Sequence, residues 1–141
     1  MQVFKVEQWM NKDIKTLNGN NSCVEAAELM RNHNIGCVLI VENDNPVGII
    51  SERDLIRKVL ATRINPEQTL IESVMSRNII SVDINAEIKE VSRSMVAHGI
   101  KKMPVVENGK LKGIITTTDI VRVLSQFNKL YDAKEIIELG A

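Results

Sequence analysis

The sequence predicts a mixed α/β (α+β) fold built from two tandem copies of one strand-helix-strand-strand-helix unit. The first observation is an internal repeat, because residues 6–60 align with residues 71–125 without a gap and 16 of the 55 aligned positions are identical. An internal repeat is identified before the single elements are assigned, because it indicates the architecture of the whole chain. The second observation is that each copy carries short apolar runs rich in β-branched residues, typical of strands covered by helices. We therefore expect repeat one at 6–60, a linker at 61–70, repeat two at 71–125 and a helical tail at 126–141.

The first half of each unit contains a lead-in, an extended piece and a helix. The lead-ins VEQWM (6–10) and IESVM (71–75) are expected to form helical turns, followed by the extended pieces IKTL and IISV. Apolar residues then recur at near-helical spacing, which predicts helices from about Ser22 to His33 and from about Ala86 to His98. These helices are followed by Asn34 and Gly99, residues that favour a left-handed C-cap.

The second half of each unit is a strand pair followed by a helix. The apolar runs CVLIV and MPVV predict the first strand, and PVGIIS and LKGIIT predict the second. Asn108-Gly109 between two such runs is a strong hairpin signal. The helices ERDLIRKVL and TTDIVRVL close the two units.

Composition restricts the functional class. The 141 residues contain 44% hydrophobic and 26% charged residues, which allows a globular core. Lys plus Arg equals Asp plus Glu, so bulk charge does not favour a nucleic-acid or membrane surface. The two cysteines and the absence of a leader pattern at the start favour a reduced, cytoplasmic protein. Because neither a nucleophile with its base nor a metal-ligand cluster is visible, we expect no enzyme, no cofactor and no metal.

The phrase GIISERD, which begins at Gly48, returns as GIITTTD at Gly113. One hypothesis is a capping box, in which Ser51 or Thr116 caps the closing helix and the aspartate reaches back. Two details argue against it as the whole explanation: aspartate is shorter than the usual glutamate, and a capping box needs no glycine upstream.

The second hypothesis is a nucleoside-phosphate cradle. The glycine would let a flat group approach the strand, where backbone groups near Ile49 and Ile114 would read a base edge. The hydroxyl residue and the helix N-terminus favour phosphate. The carboxylate, Asp54 or Asp119, would accept two hydrogen bonds from a ribose diol.

Two in-register copies of G-h-h-[ST]-x-x-D, the second preceded by IKKMPVVENG, resemble a CBS-domain pair, named after cystathionine β-synthase and also called a Bateman module. The likeness covers residues 6–125. It implies two units related by a pseudo-twofold axis, with two clefts between them that bind adenosyl ligands, most often AMP, ADP or ATP. It also implies a regulatory, non-catalytic role and a homodimer.

The resemblance assigns residues to the two clefts. The first cleft would contain Ile49, Ser51, Arg53 and Asp54, completed by Ile80 and Ile100. The second would contain Ile114, Thr116 and Asp119, with a wall of Lys15, Ile35, Gly36 and Cys37. Lys101 and Lys102 match a basic pair that would meet phosphate. Because Gly36-Cys37 replaces this pair in repeat one, we expect unequal clefts.

Two alternatives stay open from the sequence. One is a binder of S-adenosylmethionine or a related adenosyl ligand, which would use the same aspartates but not the basic pair. The other is a scaffold whose clefts stay empty and whose surface binds a partner protein. The sequence identifies no effector partner.

Overall fold

The computed structural model describes residues 4–128, and the predicted tail lies outside these residues from residue 129 onward. Repeat one contains α1 (Val6–Trp9), β1 (Thr16–Leu17), α2 (Cys23–His33), β2 (Cys37–Glu42), β3 (Asn45–Ser51) and α3 (Glu52–Asp54), which continues as a π-helix (Leu55–Leu60). Repeat two contains a 3₁₀ turn (Ile71–Ser73), β4 (Val82–Asp83), α4 (Ile88–His98), β5 (Lys102–Glu107), β6 (Lys110–Thr116) and α5 (Thr117–Asn128).

The predicted order of elements is confirmed in both repeats. Each repeat forms a three-stranded sheet, β1-β2-β3 in one and β4-β5-β6 in the other. In each sheet the first two strands are parallel and the last two are antiparallel. The antiparallel pairs also shift register at equivalent places, between Ile40 and Val41 and between Val105 and Val106. The duplication therefore extends to irregular features of the backbone.

The turn residues adopt the left-handed conformations that their identities predict. Asn34 and Gly99 end α2 and α4 with φ of 52° and 63°. Asn108 and Gly109 have φ of 52° and 79°, as a type I′ hairpin requires. Because asparagine and glycine tolerate positive φ best, these positions were readable from sequence.

Two local features differ from the sequence prediction. Helix α4 begins at Ile88 with Glu87 at its N-cap, later than the expected start at Ala86. The carbonyl of Ala86 accepts a hydrogen bond from the N–H of Val6 instead, and the N–H of Ile88 donates to the carbonyl of Phe4. The closing helix of repeat one widens into a π-helix, in which the N–H of Ala61 donates to the carbonyl of Ile56 at 2.8 Å. Its counterpart α5 is an α-helix throughout its described length.

The lead-ins are exchanged between the repeats. Val6 is fully buried in the core of repeat two, where its N–H donates to the carbonyl of Ala86 at 3.0 Å. Ile71 and Met75 belong in turn to the core of repeat one. Trp9 also packs against the core of repeat two. Each hydrophobic core is thus completed by the other repeat.

A bilayer-spanning segment is not found among residues 4–128, whose helices lack the required combination of length and apolar character.

Candidate functional site

Both repeated motifs form complete capping boxes. In repeat one, Oδ2 of Asp54 accepts hydrogen bonds from the N–H and Oγ of Ser51, at 2.9 and 3.0 Å. The N–H of Asp54 donates back to Oγ of Ser51 at 3.1 Å. Thr116 and Asp119 repeat this geometry at 2.8, 3.0 and 3.4 Å. Aspartate therefore closes the box although it is shorter than the usual glutamate, and the capping hypothesis holds for both motifs.

The second carboxylate oxygen of each aspartate faces a cation. Oδ1 of Asp54 lies 3.1 Å from Nζ of Lys58, and Oδ1 of Asp119 lies 3.2 Å from Nη1 of Arg122. An ionised carboxylate has about four acceptor positions, and three are used in each motif. A ribose diol that takes two of them must therefore displace one existing partner. The side chains of Lys58 and Arg122 are 49% and 68% exposed, so these cations are the partners that can leave.

The two motif glycines make room for methionines of the exchanged lead-ins. A Cβ on Gly48 would lie 2.4 Å from Sδ of Met75, and a Cβ on Gly113 would lie 2.5 Å from Sδ of Met10. The proposal that these glycines let a flat ligand approach the strand was wrong, because protein atoms already fill that space.

The backbone beside these glycines is also already paired. The N–H and carbonyl of Ile49 exchange hydrogen bonds with Ser76 at 3.0 and 2.9 Å. The N–H and carbonyl of Ile114 exchange hydrogen bonds with Asn11 at 3.0 and 2.9 Å. The N–H groups of Ile49 and Ile114 are therefore not free to read a base edge, although both isoleucine side chains still border a cleft.

The cleft between the repeats, called the central cleft below, has a volume of about 330 Å³. Eight of its lining residues form four pairs of equivalent positions, 65 residues apart: Gly36 with Lys101, Cys37 with Lys102, Leu39 with Pro104, and Ile49 with Ile114. The other four, Asn78, Ile79, Ile80 and Ile100, come from repeat two. The walls are thus mainly apolar, with two lysines among the lining residues.

A second cleft, called the side cleft below, lies beside the motif of repeat two and has a volume of about 350 Å³. It is more polar than the central cleft and is lined by Trp9, Met10, Asn11, Ile114, Thr116, Thr118, Asp119 and Arg122. Ile114 borders both clefts.

The structure distributes the sequence-predicted residues unevenly. The central cleft brings together Gly36, Cys37, Ile49, Ile80, Ile100, Lys101, Lys102 and Ile114. Thr116 and Asp119 line the side cleft. The remaining predicted residues line neither of the two: Lys15, Ile35, Ser51, Arg53 and Asp54. The site prediction missed Leu39, Pro104, Asn78 and Ile79, of which the first two could have been found as an aligned pair of strand residues.

Two charged side chains near the clefts have specific partners. The ammonium of Lys102 lies 3.2 Å from Sγ of its counterpart Cys37, so it reaches across the local twofold axis. The ammonium of Lys15 lies 3.1 Å from Oδ1 of Asp13. These contacts give the two repeats different electrostatic surfaces at equivalent places.

A family model for the CBS domain matches residues 6–61 and again residues 71–126. The chain belongs to the CBS domain family. The two matches stand in tandem, so the chain is a CBS pair, as the duplicated motif implied. The paired sheets, the exchanged lead-ins and the clefts are therefore those of two CBS domains.

Curated relatives support the family and show how much longer some of them are. An uncharacterized protein of Methanopyrus kandleri is 41% identical to the CBS pair over 125 residues, 87% of this chain. The chain covers 64% of that relative, and 34% and 42% of two uncharacterized proteins of Methanocaldococcus jannaschii. Hypoxic response protein 1 of Mycobacterium tuberculosis is 31% identical over 118 residues, and there the match covers 83% of this chain and 82% of the relative.

Solved structures share the fold. A CBS domain pair in complex with 5′-methylthioadenosine and S-adenosyl-L-methionine is 31% identical and superimposes with a TM-score of 0.77, covering 89% of this chain and 98% of the other. The hypoxic response protein structure, which holds two coordinated zinc ions, is 30% identical with a TM-score of 0.76, covering 84% and 97%.

Proposed function

We propose that this CBS pair is a non-catalytic regulatory module that binds an adenosine nucleotide, AMP, ADP or ATP, in the central cleft and signals to a partner protein. The observation that carries the proposal is the composition of this cleft. Isoleucines from both repeats form apolar walls that suit a flat base, and Lys101 and Lys102 supply positive charge for phosphate. Its volume of about 330 Å³ lies within the range of small-molecule sites.

The non-catalytic part of the proposal is supported by the state of the motif carboxylates. Asp54 and Asp119 are each held by a helix cap and a cation, so neither is a free general base. We also propose a cytoplasmic location, which is supported by the unpaired thiols of Cys23 and Cys37.

Titration calorimetry with AMP, ATP and adenosine tests the nucleotide assignment. The double substitution Lys101→Ala, Lys102→Ala should weaken AMP by roughly tenfold, or about 1.4 kcal/mol, because it removes the cations that face phosphate. It should change adenosine by less than twofold, because adenosine has no phosphate. Binding of AMP should also raise the Tm, by an amount that grows with AMP concentration.

Lys89→Ala, Lys112→Ala is a matched control, since it removes the same charge from exposed positions that do not line the central cleft. Equal losses for AMP and adenosine in the cleft variant would contradict phosphate recognition. Wild-type protein that binds none of these ligands would refute the proposed function.

A second candidate ligand is S-adenosylmethionine, because a solved CBS pair that is 31% identical was crystallised with that compound and with 5′-methylthioadenosine. Such a ligand lacks phosphate and should be indifferent to the two lysines. Native mass spectrometry of protein taken directly from cells would identify a retained ligand and separate the two candidates.

We further propose a homodimer, supported by an apolar helix surface. A groove of about 520 Å³ lies between α2 and the π-helix. Four apolar side chains on the closing helices of both repeats are more than half exposed: Ile56, Leu60, Val121 and Leu124. A second subunit that covered these side chains would remove apolar surface from water. A monomer in sedimentation at micromolar concentration would contradict the homodimer and would favour the partner-binding scaffold as the use of this surface.

A further inference from the structure

Pro104 is an unusual residue for its position in the sheet. It is the third residue of β5, the strand that lies between β4 and β6. Proline has no N–H to donate, so it is normally confined to edge strands, strand starts and bulges. Its counterpart in repeat one is Leu39, which has this N–H, and both residues line the central cleft. The two repeats therefore differ by one backbone donor beside the cleft.

The missing donor of Pro104 faces β4 and not β6. Ile114 is the residue of β6 opposite Pro104, and its N–H and carbonyl both bond to Asn11. Pro104 and Ile114 thus form a non-hydrogen-bonded pair, in which the backbone groups of the two residues point away from each other. The antiparallel ladder between β5 and β6 therefore loses nothing, and the deficit falls on the side where β4 lies.

Strand β4 starts later than its counterpart, at the place where Pro104 cannot donate to it. In repeat one, β1 begins at Thr16, which pairs with Leu39. In repeat two the residue equivalent to Thr16 is Ser81, but β4 begins one residue later, at Val82. Within residues 4–128, the parallel pair that repeat one has and repeat two lacks is therefore the pair that would contain Pro104.

The chain that precedes β4 also follows a path of its own. The N–H of Ile79 donates to the carbonyl of Arg77 at 3.0 Å, which closes a three-residue turn. Asn78, Ile79 and Ile80 line the central cleft, whereas the equivalent residues 13–15 of repeat one do not. This wall of the cleft is thus formed by the segment that ends where the pair with Pro104 is missing.

We propose that Pro104 is a positioning residue that gives the central cleft its one-sided wall. Because Pro104 offers no N–H to the chain before β4, residues 78–81 stay off the sheet and line the cleft. Leu39 offers that N–H in repeat one, so the chain before β1 is held against the sheet and away from the cleft. The consequence for ligand affinity rests on the proposed function, whereas the consequence for the backbone does not.

Nuclear magnetic resonance of ligand-free protein tests the backbone part. Pro104→Ala supplies the missing N–H without adding bulk to the cleft, and Pro104→Leu supplies it with the side chain that repeat one carries at this place. In both variants the amide introduced at position 104 should be protected from hydrogen exchange. Nuclear Overhauser contacts should also join this amide to residues 80 and 81. An amide at position 104 that exchanges freely would overturn the inference.

Calorimetric titration of AMP tests the consequence for the cleft. If residues 78–81 move onto the sheet, Ile79 and Ile80 leave the wall, so both variants should bind AMP roughly tenfold more weakly or worse. Pro46→Ala is the matched control, since Pro46 also lies in a strand, β3, but does not line the central cleft. The control should bind AMP within about twofold of wild type.

The possible failures are distinguishable. Unchanged AMP affinity in both Pro104 variants would overturn the role of Pro104 in the cleft and leave the proposed function intact. A loss in Pro104→Leu alone would overturn it too, because added bulk would then be the cause. Wild-type protein that binds no adenosine nucleotide would refute the proposed function, while the exchange measurement would still decide whether Pro104 keeps residues 78–81 off the sheet.

Discussion

Substitution of Gly48 by alanine separates the two roles considered for the motif glycine. The new Cβ would lie 2.4, 3.0 and 3.1 Å from Sδ, Cε and Cγ of Met75, so most of that side chain must move. Met75 is only 8% exposed, and its surroundings leave little space for it. Overpacking of this kind costs about 1–3 kcal/mol. For a chain of this size the Tm should fall by roughly 3–5 °C for each kcal/mol.

Thermal and urea unfolding of ligand-free protein measure this effect. Gly36→Ala is a suitable control, because its Cβ would meet only the carboxylate end of Glu52 at 3.2 Å, and Glu52 is exposed. The control should therefore stay within about 0.5 kcal/mol of wild type. Gly113→Ala should repeat the Gly48 result, because its Cβ would lie 2.5 Å from Sδ of Met10.

A double-mutant cycle identifies the methionine as the cause. Met75→Ala alone should cost about 2–5 kcal/mol, because it leaves a cavity in the core of repeat one. Combined with Gly48→Ala, the loss should be smaller than the sum by about 1–3 kcal/mol, because the new methyl group enters the vacated space. Additive losses would contradict the packing explanation. A Gly48→Ala protein of unchanged stability that has lost AMP binding would restore the ligand-approach hypothesis.

Three further outcomes follow from packing and capping. Val6→Ala should lower the free energy of unfolding by about 2 kcal/mol in denaturant titrations, because two buried methyl equivalents are lost from the core of repeat two; a change below 0.5 kcal/mol would contradict the exchange of lead-ins. Ser51→Ala should cost about 1 kcal/mol in the same assay, because it removes a helix cap. Native protein should react with a thiol reagent at Cys37 and resist at Cys23, since burial raises the pKa of the Cys23 thiol and shields it; equal rates would contradict that burial.

The sequence predicted the local structure better than the packing between repeats. Asn34 and Gly99 predict left-handed helix caps because asparagine and glycine tolerate positive φ. The identical spacing of the two apolar patterns predicts the order of the elements. The apolar residues of a lead-in such as residues 6–10 indicate that one face of this segment is buried. The same sequence pattern would result whether that face packs on its own repeat or on the other one. The exchange of lead-ins was therefore not readable.

The motif residues show the same limit. The sequence around Gly48 and Ile49 suggested a ligand site because it gives no sign of Met75 and Ser76. These two residues contact Gly48 and Ile49 only in the folded chain, where the lead-in of repeat two packs on repeat one. Asymmetry was partly readable, since Gly36-Cys37 and Lys101-Lys102 differ on alignment. The pairing of Asp13 with Lys15 and the reach of Lys102 to Cys37 required three-dimensional coordinates.

The exchange of lead-ins also determines which repeat would be acted on by a domain joined to the ends of the described chain. Residues 4–10 pack on repeat two, and α5 belongs to repeat two as well, so both ends of the described chain are anchored on the same half. A domain joined to either end would pull on repeat two. Repeat one would receive that pull through residues 11–15, through the segment that follows Met75, and through the shared cleft. A circular permutant opened at residues 61–70 would move the ends onto repeat one, because Pro66 and Thr69 hydrogen bond to the start of α2. Comparing its response with that of the parent chain would show how much the position of the ends matters.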